Sequence, residues 1–93
     1  MKITLRCFAD IREILGAKEQ ELSLPDGQTV GGLLKALSEA HPPLRQKLYA
    51  PDGTLRSHIT ILKNGRGIAS LQQLDTPIDP GDVIALFPSL AGG

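Results

Sequence analysis

The chain has 93 residues, enough for one small domain with one modest core. Hydrophobic residues make up 41%, yet there is no Trp, one Tyr and two Phe, so Leu, Ile, Val and Ala must fill the interior. Ten basic residues offset ten acidic ones, which leaves no electrostatic footprint for nucleic acid or an anionic membrane.

Lys2 to Phe8 alternates, with Ile3, Leu5 and Cys7 on one side and Lys2, Thr4, Arg6 and Phe8 on the other. Period two predicts a half-buried strand. Cys7 falls on the apolar side, and nothing in the spacing recruits His41 or His58 as a base for it. Ala9 to Leu15 reads as one or two helical turns closed by Gly16. Lys18 to Leu24 alternates again, with Leu22 and Leu24 inward, and Pro25-Asp26-Gly27 turns the chain.

Thr29 is a candidate N-cap. Val30, Leu33, Leu34 and Leu37 then form one apolar helical stripe. Gly31 and Gly32 each cost roughly 1 kcal/mol in helix propensity, so packing must hold this helix. His41-Pro42-Pro43 ends it, and Leu44 to Tyr49 reads as a second helical piece. Ala50-Pro51-Asp52-Gly53 is a turn with Pro at its second position. Leu55 through Ile59 to Lys63 reads as a strand, closed by the hairpin signal Asn64-Gly65. Leu71 to Leu74 is expected as a short helical turn or irregular chain, and Asp79-Pro80-Gly81-Asp82 as another turn. Val83 to Phe87 is apolar on both sides, as a central strand is.

The fold class expected from this order is α+β. A first hairpin, a crossing helix and a last strand entering the middle of the sheet make a ubiquitin-like β-grasp, with a mixed sheet and one main helix on one face. The other face is open. If Ile3, Leu5 and Cys7 point at the helix, Phe8 points away from it. If Ile84 and Leu86 point inward, Phe87 also faces outward, beside Phe8. An apolar cluster on a small domain marks a docking surface. A strand-end Phe8 can instead curl over the edge of the core, and its position leaves both readings open.

Residues 1–87 are expected to form the domain, and residues 88–93 an extended arm. Pro88 cannot donate a ladder hydrogen bond and stops the strand. Leu90, Ala91, Gly92 and Gly93 follow, slim enough for a narrow tunnel, and six residues reach at most ~20 Å. The expected reactive group is the Gly93 carboxylate. An ordinary frayed terminus is the competing reading.

These features resemble the MoaD/ThiS-type sulfur carriers. The residues that carry the resemblance are Phe8-Ala9-Asp10-Ile11-Arg12-Glu13, Asn64-Gly65-Arg66, Leu74-Asp75-Thr76, Gly81-Asp82-Val83, Phe87-Pro88 and the terminal Ala91-Gly92-Gly93. Ser89 departs from a second proline usual in the molybdopterin-synthase small subunit. The segment from Leu44 to Leu55 is longer than in the compact carriers and resembles a subgroup that includes carriers for cysteine synthesis.

The resemblance implies a carrier rather than an enzyme, with no acid–base residue and no metal site. A ubiquitin-activating-type adenylyltransferase would dock the open face through Phe87, Phe8 and Ile68. It would use ATP to adenylate Gly93, and a persulfide donor would convert the adenylate to a thiocarboxylate. The carrier itself binds no cofactor. Its other partner would be a larger synthase or sulfur-acceptor enzyme, with molybdopterin or tungstopterin synthesis ahead of cysteine or thiamine synthesis. The alternative is a ubiquitin-like modifier joined to lysines through the Gly-Gly tail, and a third reading is a β-grasp interaction module with an inert tail. Neither nucleic acid nor membrane is an expected partner. The lone Cys7 and a first strand that begins at Met1 make the cytosol the expected compartment.

Overall fold

The computed structural model describes residues 1–88. Among these, β1 (Lys2–Cys7) pairs antiparallel with β2 (Glu19–Ser23) and parallel with β5 (Val83–Phe87). β3 (Thr60–Lys63) runs antiparallel to β5 and pairs on its other side with the two-residue β4 (Arg66–Gly67). The order β2-β1-β5-β3-β4 makes a mixed five-stranded sheet with β5 at its centre. This is the expected β-grasp layout. No helix of the described residues is long and apolar enough to cross a membrane.

The alternation in β1 does what it predicts: Ile3, Leu5 and Cys7 are buried. Their neighbours across β5, Ile84 and Leu86, are buried with them. Against this face lies α2 (Val30–Ala40), which buries Val30, Leu33, Leu34 and Leu37. The Thr29 hydroxyl accepts from the Gly32 N–H at 3.1 Å, capping α2 as expected. Gly31 has a further role that propensity does not reveal. A Cβ there would sit 3.0 Å from the Leu74 carbonyl oxygen and 3.1 Å from Leu74 Cβ, so glycine permits this close approach to α2.

α1 (Ala9–Leu15) buries Ile11 and Leu15 and stops at Gly16, which takes the left-handed φ of 82°. α3 (Pro42–Leu48) starts with proline in its first turn, where the missing N–H costs nothing, and buries Leu44 and Leu48. The prolines that end α2 therefore also begin α3.

One expected strand is shorter than its sequence suggests. Residues 55–59 are outside β3: Leu55 bridges Tyr49, and the Ile59 N–H turns back to the Arg56 carbonyl at 3.1 Å. The register sets Thr60 against Phe87, the last residue of β5, so the residues before Thr60 have no partner on β5 and bond locally. Beyond β4 the chain makes two 3₁₀ turns, Ile68–Ser70 and Gln73–Asp75, in place of one turn at 71–74.

The start of β5 is tied to the β3–β4 hairpin by a network of side chains. Buried Asp82 accepts from the Asn64 amide at 2.8 Å and from the Asp79 N–H at 2.8 Å, and lies 3.3 Å from the Lys63 ammonium. Asn64 Oδ1 accepts from the Val83 N–H at 2.8 Å. Lys63 also donates to the Pro77 carbonyl at 2.6 Å and to Asp79 Oδ2 at 3.1 Å. The hairpin turn itself needs two positive φ angles, 52° at Asn64 and 84° at Gly65, which Asn-Gly supplies.

Candidate functional site

Residues opposite one another in a sheet share a face, so the register defines the side that α2 leaves uncovered. On that side lie Thr4 and Arg6 of β1, Glu19 and Glu21 of β2, Val83, Ala85 and Phe87 of β5, and Thr60 and Leu62 of β3. The surface is divided. Toward β2 it is ionic, with Arg6 3.2 Å from Glu19 and Lys2 3.5 Å from Glu21. Toward β3 it is apolar, where Leu62 and Ala85 face each other across β3 and β5.

Phe8 and Phe87 meet at one end of this apolar strip. Their ring centroids are 4.2 Å apart with planes inclined by 9°, a near-parallel stack. Both rings are half-buried. Parity alone predicts this meeting, because β1 and β5 are parallel neighbours and both phenylalanines lie on the outward phase. Phe8 is at the N-cap of α1, and Ala9 beside it has φ +53°, a left-handed conformation that a side chain makes costly. This turn carries the chain from the strand into α1 directly after Phe8.

The remaining expected site residues fall into three groups. Pro88 is half-buried at a bend directly after Phe87, the place expected of a strand stop. Leu90, Ala91, Gly92 and Gly93 lie outside the described residues, so the arm expected from 88 to 93 is described only at Pro88. Ile68 is a correction. It is only 7% exposed and belongs to the hydrophobic core, because the 3₁₀ turn after β4 folds its side chain inward instead of onto the open face. In its place the same face offers Leu62 and Val83. Reading β3 and β5 by the parity used for Phe87 would have found them.

Among the described residues the site presents apolar surface beside ion pairs. Burial pushes the Cys7 thiol up to about 11, which keeps it protonated and unreactive near neutral pH. Asp10, at the start of α1, receives a bond from Lys47 on α3, which chiefly holds its carboxyl below the usual carboxylate range. That pair ties α1 to α3 behind Phe8. Among the described residues no group of three His, Cys, Asp or Glu side chains could hold a metal ion.

A mixed sheet grasping one helix, with a half-buried aromatic pair on its other face, has the build of a ubiquitin-like protein. The crystal structure of SAMP1 from Haloferax volcanii shares it, with a TM-score of 0.83 at 35% identity and full coverage of both chains. The model of the ThiS family matches residues 5–93, and the chain belongs to that family. Small archaeal modifier protein 3 of Haloferax volcanii is 38% identical over 93 residues, all of both chains. The molybdopterin synthase sulfur carrier subunit of Chlamydomonas reinhardtii is 31% identical over 98 aligned residues, again spanning both chains. The relatives thus include small ubiquitin-like carriers and modifiers.

Proposed function

We propose that this chain is a sulfur carrier, adenylated and then thiocarboxylated at Gly93, which donates sulfur in cofactor biosynthesis. The observation that carries the reading is the Phe8–Phe87 stack, which gives the root of a Gly-Gly terminus an apolar base. Residues 1–87 serve as the handle and residues 88–93 as the arm that enters a partner. Pterin synthesis stands first among the pathways, supported by the name of the Chlamydomonas relative. Cysteine and thiamine synthesis follow.

The chemistry belongs to the partner. An adenylyltransferase docks on the open face through Phe8, Phe87 and their apolar neighbours. The Gly93 carboxylate attacks the α-phosphate of ATP and expels pyrophosphate, so a poor electrophile becomes an acyl adenylate. The terminal sulfur of a persulfide attacks the acyl carbon and AMP leaves. A thiol then cleaves the acyl disulfide, releasing the thiocarboxylate and forming a disulfide. This chain contributes no acid or base; Gly93 is the cargo hook and Gly92 lets the arm pass through a tunnel. A larger synthase or acceptor enzyme takes the sulfur.

A second reading is favoured by the Haloferax relatives, whose names are those of modifiers: Gly93 is joined to lysines of target proteins. Both readings share the adenylate. Incubation with the activating enzyme, ATP and a sulfur donor, followed by intact mass, separates them. Exchange of one oxygen for one sulfur on this chain is the expected result; isopeptide conjugates without that exchange would favour the modifier. Survival of adenylation after deletion of Gly92 and Gly93 would refute both.

A further inference from the structure

The helical side of the domain carries a second concave surface, away from the open sheet face. Between α2, α3 and the turn that follows α3 lies a groove of about 570 Å³, open to solvent. Tyr49 and Pro51 give it apolar walls, while Lys35 of α2, Arg45 of α3 and Arg56 line it with only Glu39 as an opposing acid. The segment that closes it is well braced. Ala50 N–H donates to the Thr54 carbonyl at 2.8 Å, Gly53 N–H to the Ala50 carbonyl at 2.9 Å, and Arg56 Nε to the Gln46 carbonyl at 3.0 Å.

This groove gathers three of the six Lys and Arg side chains that have no carboxylate within 4.0 Å among the described residues, the others being Arg12, Lys18 and Arg66. The chain as a whole is neutral. Lys2, Arg6, Lys47 and Lys63 are each matched by a carboxylate within 4.0 Å. Among the described residues, Lys35, Arg45 and Arg56 have no such partner, and three cations against one acid leave the groove at a net +2. Unmatched cations around an apolar floor are complementary to carboxylates flanking an apolar side chain. Arginine forks in particular suit carboxylate geometry.

We propose that this groove binds an acidic peptide segment of a partner protein, with an apolar side chain on Tyr49 and Pro51 and carboxylates against Lys35 and Arg45. An open groove suits a chain segment better than a small molecule, since small-molecule sites enclose roughly 70–90% of their ligand. Such a partner would hold the domain from its helical side. The sheet face and the arm would stay free for another protein, so two partners could be bound at once.

The test is an NMR titration of the ¹⁵N-labelled full chain with a short synthetic peptide of glutamates flanking one phenylalanine, at low salt. The expected result is saturable amide shifts around Lys35, Arg45 and 49–53. The affinity should fall about tenfold in the Lys35→Glu/Arg45→Glu variant, and should fall again as salt is added. Both side chains are exposed and make no side-chain hydrogen bond among the described residues, so the variant is expected to fold. Should it not, Lys35→Glu alone is expected to weaken binding about threefold. A lysine-for-glutamate version of the peptide should leave the spectrum unchanged. The proposal is overturned by an absence of shifts, by shifts centred on Phe8, Leu62 and Phe87, or by an affinity that charge reversal leaves unchanged. Equal binding of a neutral peptide, or of inorganic phosphate in its place, would overturn it too.

Discussion

The two ends of β5 are held in opposite ways. At its start, Asp82, Asn64 and Lys63 are joined by directional, charge-assisted hydrogen bonds that admit one register of hairpin against strand. At its finish, Phe87 rests against Phe8 with no polar bond between the side chains, only stacked surface. A hydrogen-bonded network loses much when any member is removed, whereas an aromatic contact can exchange one apolar neighbour for another at little cost. The first end suits permanence. The second suits a surface that partners reach and leave.

The sharpest way to break this comparison is Asp82→Ala. It leaves the Asp79 N–H, the Asn64 amide and the Lys63 ammonium without their shared acceptor, and should cost about 2–4 kcal/mol in denaturant unfolding. The same carboxylate makes stability pH-dependent. Burial is the strongest single influence on its pKa and pushes it upward, but the bonds from Asp79, Asn64 and Lys63 together outweigh it and leave the pKa lowered from 3.8. Its contribution is therefore fully present above the ordinary carboxylate value and is lost as pH falls through the lowered native one. Asp82→Asn should flatten that acid limb, and an unchanged acid limb would contradict the role given to Asp82.

At the other end, Phe87→Ala should cost less, about 1–2 kcal/mol, because the ring is half-buried and leaves no polar group unsatisfied. The fold should survive by circular dichroism while partner-dependent adenylation falls. Unfolding of this variant would place Phe87 among the core residues and remove the contrast between the two ends.

Ala9→Gly gives a smaller effect of opposite sign. Relief of the positive φ should raise stability by up to about 1 kcal/mol, read as a shift of the denaturation midpoint. Glu19→Gln should be smallest, under about 0.5 kcal/mol, since Arg6 and Glu19 are both largely in solvent. A larger loss would mean that the ionic side of the open face is structural.

Periodicity carried the reading of the fold a long way. The alternation of Ile3, Leu5 and Cys7, the stripe on α2 and the apolar β5 each describe burial on one element, which is local information. The Phe8–Phe87 contact was also within reach, since parity on two adjacent parallel strands suffices. What stayed hidden depends on elements meeting in space. Gly31 reads as a weakness until Leu74 is seen against it, and Ile68 reads as a surface residue until the chain leaves β4 for a 3₁₀ turn. Asp82 reads as part of a turn, because nothing local shows that Asn64 and Lys63 will face it. The unmatched cations of the helical groove stayed hidden for the same reason: a neutral total conceals where charges are left without partners.

The network at Lys63 has a use outside folding. The chain has five lysines, and the Lys63 side chain is 15% exposed against 72% for Lys2. Its ammonium is held by Asp79 and Asp82, whose bonds and charges outweigh burial and raise its pKa, which leaves less free amine to react. An acylating reagent should therefore modify Lys63 last, and only as fast as the hairpin opens. Digestion and mass spectrometry would turn that delay into a clock for local opening, built into the native chain and needing no label.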